Sequence, residues 1–278
     1  MSLTRTRDQS SQDDPKIPCS RPAASISSYS GAYFLFPLVP LRSHSHTLMD
    51  RDAAKQAAGE EAATFVEDGM TLGLGTGSTA AYAIQAIGRR IDEETLDVRG
   101  VPTSFGAERL ARRYGVPLTT LDEAPHLDLG IDGADEVDPE MNLIKGGGAA
   151  HSREKVVAAQ TERFVVIVDP TKTVDRLGDS FALPIEVMPM AVAPIAATLE
   201  GLGATADLRE GDQKDGPIVT DQGLWVLDAH FPDGIADPHA VAEALGGHPG
   251  VLDHGLFLDL ATDVLLGHPD GTVTHTTA

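Results

Sequence analysis

Short apolar segments alternate with amphipathic ones over most of the chain that follows residue 49. Between residues 50 and 68, alanines and Phe65 recur at three- and four-residue intervals, which is the spacing of one helical face. Other short apolar runs, bounded by glycine, proline and polar residues, are typical of buried strands. The pattern predicts helices over residues 50–68, 80–90, 105–114 and 149–160, and strands over residues 70–75, 98–101, 117–121, 127–131 and 163–168.

This alternation predicts an α/β fold with a doubly wound, mostly parallel sheet. The order changes after residue 182, where the pattern predicts strands at 183–187, near 205–209, 217–220 and 224–228, and helices at 191–202 and 238–245. We therefore expect a smaller α+β (ferredoxin-like) domain inserted at residues 182–252. The larger α/β domain would comprise residues 49–181 and 253–278, with closing strands at 251–260, 263–266 and 272–275.

Residues 1–48 differ in composition from the rest of the chain. They are rich in serine and proline and hold five basic residues against three acidic ones, which is typical of disorder. The basic residues do not precede an uninterrupted apolar core, as they would in a signal peptide. We expect a disordered leader, with Met49 as the physiological start and first residue of an acidic helix.

The overall charge narrows the possible partners. The formal net charge is −21, from 42 acidic and 21 basic residues, and such a surface repels nucleic acid and anionic membranes. Acidic residues spread over the whole sequence fit a heavily hydrated surface of the halophilic type. Cys19 is the only cysteine, which excludes a disulfide framework and favours a cytoplasmic location.

A glycine- and hydroxyl-rich turn follows the first predicted strand. Gly75-Thr76-Gly77-Ser78-Thr79 lies between a strand and a helix, where backbone N–H groups favour an anion. The turn fits neither a dinucleotide fingerprint nor a nucleotide P-loop. We expect it to bind a sugar phosphate, although a purely structural turn is the alternative.

Three aspartates follow another strand, at Asp132, Asp135 and Asp138. Their spacing does not match a calcium loop; a magnesium site and a solvated acidic loop are the alternatives to ligand contact. Because Asp132 and Asp135 come directly off the strand, we expect them to contact a ligand. Asp138 is assigned to the scaffold.

Lys145 runs directly into Gly146-Gly147-Gly148, which places an ammonium group beside three unhindered backbone amides. That combination suits an oxyanion or a phosphate, and a flexible hinge is the alternative. Glu154, in the following helix, is the candidate general base, although a surface pair with Lys155 is its ordinary interpretation. Lys172, just after a strand, and Lys55, in the first helix, are candidate phosphate contacts.

Five motifs closely resemble those of the type A ribose-5-phosphate isomerase family: GLGTGSTA from residue 73, DGADEVD from 132, KGGGAA from 145, SREK from 152 and DPTKTVDRLG from 169. They occur in the family's order over the chain from about residue 49 to its end. The resemblance implies interconversion of ribose 5-phosphate and ribulose 5-phosphate in the non-oxidative pentose phosphate pathway. It also implies no metal or organic cofactor, and a homodimer or homotetramer.

Carried over by position, the resemblance makes Glu154 the general base and gives Asp132, Asp135 and Lys145 roles in ring opening and hydroxyl binding. It assigns substrate contacts to Thr76, Gly77, Ser78, Thr79, Gly133, Ala134, Gly146, Gly147, Gly148, Lys172 and Lys55. A non-catalytic sugar-phosphate sensor and another sugar-phosphate enzyme of the superfamily are the alternatives.

Overall fold

This computed structural model describes residues 44–278, which form fifteen strands and six α-helices. The helices are α1 (His44–Ala63), α2 (Ser78–Glu94), α3 (Phe105–Arg113), α4 (His151–Ala159), α5 (Val192–Gly201) and α6 (Pro238–Gly246). The strands are β1 (Thr71–Leu74), β2 (Arg99–Pro102), β3 (Leu127–Gly133), β4 (Glu136–Val137), β5 (Leu143–Ile144), β6 (Thr161–Val168), β7 (Leu183–Val187), β8 (Thr205–Leu208), β9 (Glu210–Gly211), β10 (Lys214–Pro217), β11 (Trp225–His230), β12 (Val251–His254), β13 (Leu256–Phe257), β14 (Asp263–Gly267) and β15 (Val273–Thr277).

The large sheet has the strand order β15-β14-β6-β3-β1-β2. Its strands pair in parallel except for the edge hairpin of β14 and β15. Alternate residues of β6 enter two different cores: Val165 and Ile167 pack with α1 and α2, whereas Phe164 and Val166 pack with α4 on the other face. Helices therefore cover both faces, as a parallel sheet requires, and the α/β fold class is confirmed.

The smaller sheet has the order β12-β7-β11-β8, and every neighbouring pair is antiparallel. Along the chain its elements run β7-α5-β8-β11-α6-β12, which is the ferredoxin-like βαββαβ arrangement. Its core includes Ile185, Ile195, Leu199, Leu227 and Leu245. The sheet extends to His254, and residues 44–278 lie in one compact unit, so the division into two domains at residues 182 and 252 stays a prediction.

Two predicted strands are wrong in the structure. Residues 117–121 contribute only one isolated bridge, between Leu118 and Gly100, because the chain turns at once through the Ala124 N–H to Thr120 carbonyl hydrogen bond. The predicted strand at 251–260 is divided between two sheets: β12 pairs with β7, and β13 pairs with β5. Gly255 lies at the division, where a side chain would collide with the carbonyl oxygen of Lys145.

Two further differences concern short segments. The strand predicted at 217–220 shares only Pro217 with β10, which covers Lys214–Pro217 and forms a hairpin with β9. Strands β4 and β5, of two residues each, were not predicted, because a two-residue strand has no detectable alternation.

The first helix begins at His44, upstream of Met49. The change in composition at Met49 therefore does not mark the start of the helix. After Pro40 no residue up to Met49 is one that breaks a helix. The rest of the predicted leader, residues 1–43, lies outside the described residues. Among the described helices, none has the length and apolarity needed to span a membrane.

Candidate active site

Three polar loops meet at the carboxyl ends of the parallel strands β1, β3 and β6, where ligands bind in sheets of this kind. They surround a cavity of about 170 Å³. The structure thus brings together the candidates that the sequence analysis took from distant parts of the chain. The cavity is lined by Arg51, Lys55, Thr76, Gly77, Ser78, Thr79, Gly133, Ala134, Asp135, Lys145, Gly146, Gly147, Gly148, Glu154 and Lys172.

Asp132 is 2% exposed and does not itself line the cavity, but it contacts Lys145, which does. Its Oδ1 accepts hydrogen bonds from the backbone N–H of Thr76, at 3.0 Å, and of Gly133, at 2.7 Å. Burial raises the pKa of Asp132, while Lys145 and the two N–H donors oppose that rise. Asp132 thereby ties the turn after β1 to the end of β3, and its second oxygen faces Lys145.

Lys145 is the cation at the centre of the site. Its Nζ lies 3.1 Å from Asp132 Oδ2 and 3.3 Å from Glu154 Oε2, and it donates a hydrogen bond to the carbonyl of Gly133. The ring of Phe257 lies 5.4 Å away. Burial by itself would lower the pKa of Lys145, but the charges of Asp132 and Glu154 outweigh it, so the pKa lies above its ordinary value.

Glu154 lies in the first turn of α4 and is 5% exposed, although its side chain reaches the cavity wall. Burial, reinforced by the charge of Asp132, raises the pKa of Glu154 to about 8, while Lys145 limits the rise. A carboxylate with a pKa near neutrality is suited to accept and return a proton. The ordinary interpretation of Glu154 as a surface partner of Lys155 is wrong, because Lys155 instead pairs with Asp253 at 2.6 Å.

The glycine segment, residues 146–148, forms one wall of the cavity. The N–H of Gly147 donates to Asp135 Oδ2 at 2.7 Å, which links the segment to the loop after β3. Gly146 has φ of 112°, in the left-handed region, and a side chain there would meet the ring of His151 at 2.6 Å. The segment is therefore a fixed part of the wall, which argues against a flexible hinge.

Two lysines and a helix start also line the cavity, and we refer to them as its cationic end. Lys55 and Lys172 line it together with Ser78 and Thr79, which open α2. Gly77, the residue before α2, supplies no side-chain cap, so the first N–H groups of the helix lack that partner. Lysine ammonium groups beside a helix N-terminus favour a phosphate. This positive end contrasts with the strongly acidic protein as a whole.

Sequence reasoning did not identify three polar residues of this region. Arg51 lines the cavity one helical turn before Lys55, and its Nη2 donates to Thr171 at 3.1 Å. Thr103 and Ser104 share hydrogen bonds with the hydroxyl of Thr76, at 2.8 and 2.7 Å. The sequence could have indicated Thr103 and Ser104, because they directly follow β2, the parallel strand next to β1.

Asp138 lies outside the cavity lining. Its carboxylate accepts from the backbone N–H of Asn142 at 2.8 Å and closes a turn, as expected for a scaffold residue. Within residues 51–278, no group of three or more His, Cys, Asp or Glu side chains is arranged to hold a metal ion. Lys145 is the cation that the carboxylates of Asp132 and Glu154 face.

Comparison with known proteins identifies the family. The sequence model described as ribose 5-phosphate isomerase A (phosphoriboisomerase A) matches residues 99–271. The ribose-5-phosphate isomerase A of Gloeothece citriformis is 57% identical over 214 residues, which cover 77% of this chain and 90% of that protein. The chain belongs to the ribose 5-phosphate isomerase A family. The family resemblance inferred from the five motifs is therefore confirmed.

Further members of the isomerase A family agree in sequence and in fold. The protein of Haloarcula marismortui is 54% identical over 225 residues, covering 81% of this chain and 96% of that protein. The solved ribose 5-phosphate isomerase A from Methanocaldococcus jannaschii has a TM-score of 0.77 at 42% identity, covering 81% of this chain and 98% of its own. A solved D-ribose-5-phosphate isomerase in complex with phospho-erythronic acid has a TM-score of 0.79 at 42% identity, covering 82% of this chain and 99% of its own.

Proposed function

We propose that this chain interconverts D-ribose 5-phosphate and D-ribulose 5-phosphate through an enediolate, with Glu154 as the general base. The observation that carries the proposal is the buried Glu154 carboxyl group, with its pKa raised to about 8, on the wall of a cavity with a cationic end. Family membership supplies the reaction, and the cavity supplies groups of the required chemistry. The alternatives of a sugar-phosphate sensor and of another sugar-phosphate enzyme are not favoured by the family match.

The phosphate end of the substrate is assigned to the cationic end of the cavity. Lys55 and Lys172 supply positive charge there, and residues 76–79 supply N–H and hydroxyl donors beside the start of α2. The sugar carbons are then assigned to Lys145 and Glu154, which line the same cavity. Asp132, Asp135 and Lys145, with Gly133 and Ala134, are proposed to contact the ring oxygen and hydroxyl groups and to assist ring opening.

Proton transfer follows in the open-chain sugar. Glu154 removes the proton from carbon 2, the carbon 1–carbon 2 double bond forms, and the carbonyl electron pair moves to oxygen 1. Glu154 then returns the proton to carbon 1, while the proton of the carbon 2 hydroxyl passes to oxygen 1, so that carbon 2 becomes the ketone and oxygen 1 a hydroxyl group. Atoms and electrons balance within the substrate, and the carbon-bound proton is the only atom transferred to the protein and back.

The negative charge that develops on oxygen 1 needs fixed positive potential. Lys145, with its pKa above the ordinary value, stays protonated across the working range of pH. The backbone amides of residues 146–148 line the same cavity. Preorganised donors of this kind stabilise an oxyanion without reorganising during the reaction.

Isomerisation of ribose 5-phosphate in D2O tests the proposal. The proton that Glu154 takes from carbon 2 can exchange with solvent before it is returned to carbon 1. We therefore expect ribulose 5-phosphate that carries deuterium at carbon 1. Mass spectrometry and proton NMR of the product measure it. Absence of turnover on ribose 5-phosphate would contradict the function, and turnover with no deuterium incorporation would contradict the exchangeable proton on Glu154.

We also propose a homodimer or homotetramer in the cytoplasm. The support for the oligomer is a cavity of about 660 Å³ that is lined by the half-exposed side chains of Val156 and Leu252. Exposed apolar side chains of this kind favour association. Sedimentation equilibrium of the purified chain tests the assembly, and a monomer at micromolar concentration would contradict it.

A further inference from the structure

Arg209, which directly follows β8 of the smaller sheet, reaches the glycine segment of the active site. Its Nη1 donates to the carbonyl of Gly146 at 2.8 Å and to the carbonyl of Gly147 at 3.2 Å. Arg209 itself lines a neighbouring cavity of about 500 Å³, which shares only Gly147 with the candidate substrate cavity. The guanidinium therefore holds the segment from the side that faces away from the substrate.

The guanidinium is itself fixed within the smaller sheet. Its Nε donates to Asp228 Oδ2 at 2.7 Å, and its Nη2 donates to Asp228 Oδ1, so the pair is bidentate. The backbone N–H of Arg209 also donates to the carbonyl of Val226, in the adjacent strand β11. A planar, bidentate ion pair holds its geometry better than a single contact does. The two carbonyls are thus bound by a rigid donor.

Fixing a carbonyl group fixes the N–H group of the same peptide. The peptide unit is planar and trans, so its C=O and N–H point in opposite directions. The carbonyl of Gly146 shares a peptide with the N–H of Gly147, which donates to Asp135. The carbonyl of Gly147 shares a peptide with the N–H of Gly148. Within residues 51–278, no acceptor takes the N–H of Gly148, and Gly148 lines the substrate cavity.

A run of three glycines cannot hold these directions by itself. Glycine has the largest conformational freedom of any residue, and residues 146–148 have no side chains with which to fix the peptide planes. On the cavity side, the carboxylate of Asp135 orients one N–H group. On the opposite side, Arg209 contacts both carbonyls. Without Arg209, the peptide that joins Gly147 to Gly148 would be free to turn its N–H away from the cavity.

We infer that Arg209 is a positioning residue, which together with Asp228 aims the N–H of Gly148 at the oxygen that becomes negative during isomerisation. This inference rests on the proposed function, because that oxygen belongs to the proposed enediolate. It also gives the smaller sheet an indirect role in the reaction. Arg209 does not touch the substrate in this arrangement, and its effect passes entirely through the glycine segment.

The test compares Arg209→Met with Arg163→Met, a matched control. Arg163 forms a second bidentate pair, with Asp263 at 2.9 and 2.7 Å, and neither residue lines the substrate cavity. We expect Arg209→Met to lower kcat by about 10- to 100-fold, somewhat less than removal of an oxyanion donor outright. KM for ribose 5-phosphate should stay within about threefold. Arg163→Met should leave both constants near the wild-type values.

A binding measurement separates this role from general loss of structure. Phospho-erythronic acid, present in a relative's structure, carries a carboxylate that can take the place of the enediolate oxygens. Calorimetry should show weaker binding of this acid to Arg209→Met than to the wild type, by about 10-fold or more, and unchanged binding of inorganic phosphate. Asp228→Asn is the second variant: it keeps the charge of Arg209, loosens the pair, and should shift kcat in the same direction by a smaller factor.

The outcomes are distinguishable. Equal loss of kcat in Arg209→Met and Arg163→Met, or a rise in KM at unchanged kcat, would overturn the role of Arg209. If Arg209→Met does not fold, unchanged kcat in Asp228→Asn would overturn it instead. A wild-type protein without isomerase activity would contradict the proposed function, whereas an active wild type with unaffected variants contradicts only the inference about Arg209.

Discussion

The ammonium of Lys145 lies 3.3 Å from Oε2 of Glu154, and the two side chains are 3% and 5% exposed. At this distance and burial the interaction is only weakly screened by solvent. The ammonium favours the carboxylate form of Glu154 and so holds its pKa below the value that burial and Asp132 would produce. The charge of Lys145 thus sets the pH at which the proposed base is ready to act.

Lys145→Met is therefore expected to shift the pH dependence of kcat/KM. Removing the positive charge raises the Glu154 pKa further above about 8, so the rise of activity with pH moves to higher pH. Initial rates between pH 6 and pH 10 measure the shift, whatever the absolute loss of activity. Lys172→Met is the control, because its Nζ approaches Asp135, at 3.9 Å, and not the proposed base. An unshifted profile in Lys145→Met would contradict this coupling.

Lys55→Met is expected to weaken substrate binding more than it slows turnover. Lys55 lines the cationic end of the cavity, where it would meet the phosphate in the ground state and in the transition state alike. Loss of such uniform binding raises KM, by about 10-fold for one charged hydrogen bond, with little change in kcat. The exposed Lys214→Met is the control. Slow turnover of ribose, which has no phosphate, should not change in Lys55→Met, and an equal loss with ribose would argue against a phosphate contact.

His151→Gln is expected to make the protein less sensitive to acid. His151, at the start of α4, is fully buried, and burial, with the nearby charge of Lys155, lowers its pKa from 6.5 to about 3. Between these values the unfolded chain binds a proton that the folded protein does not, so stability falls as the pH drops below about 6.5. At pH 5 the linked loss is about 2 kcal/mol.

Urea unfolding at pH 7 and pH 5 measures this difference. In His151→Gln the fall in unfolding free energy between the two pH values should be smaller than in the wild type by about 2 kcal/mol. His239→Gln, at an exposed histidine, should behave as the wild type does. If the acid-induced fall is the same in His151→Gln and the wild type, His151 does not titrate as its burial requires.

Much of the fold followed from the sequence, because it depends on local patterns. The strand at Leu183–Val187 was predicted with its observed bounds, and α3 and α6 differ by one residue at one end. Strands β4 and β5 and the division of β12 from β13 could not be predicted, because they depend on contacts with distant segments. Gly255, for example, is required by the carbonyl of Lys145, more than a hundred residues earlier.

The candidate site was predictable to a similar extent. Residues at or just beyond the carboxyl ends of parallel strands, such as Asp132 and Thr76, were found because strand ends share one edge of the sheet. The burial of Glu154, and with it the raised pKa, was not readable from a Glu–Lys pair in a helix. Arg209 carried no signal at all, since its two carbonyl acceptors lie about sixty residues away in the sequence.

Glu154→Gln tests the central claim most directly, because glutamine keeps the size of the side chain but cannot accept the proton from carbon 2. We expect kcat to fall by about 10²- to 10⁴-fold, the usual contribution of a general base. Calorimetry should still detect ribose 5-phosphate binding with a Kd within a few-fold of the wild-type value. A Glu154→Gln protein that isomerises ribose 5-phosphate at the wild-type rate would contradict the assignment of Glu154 as the base.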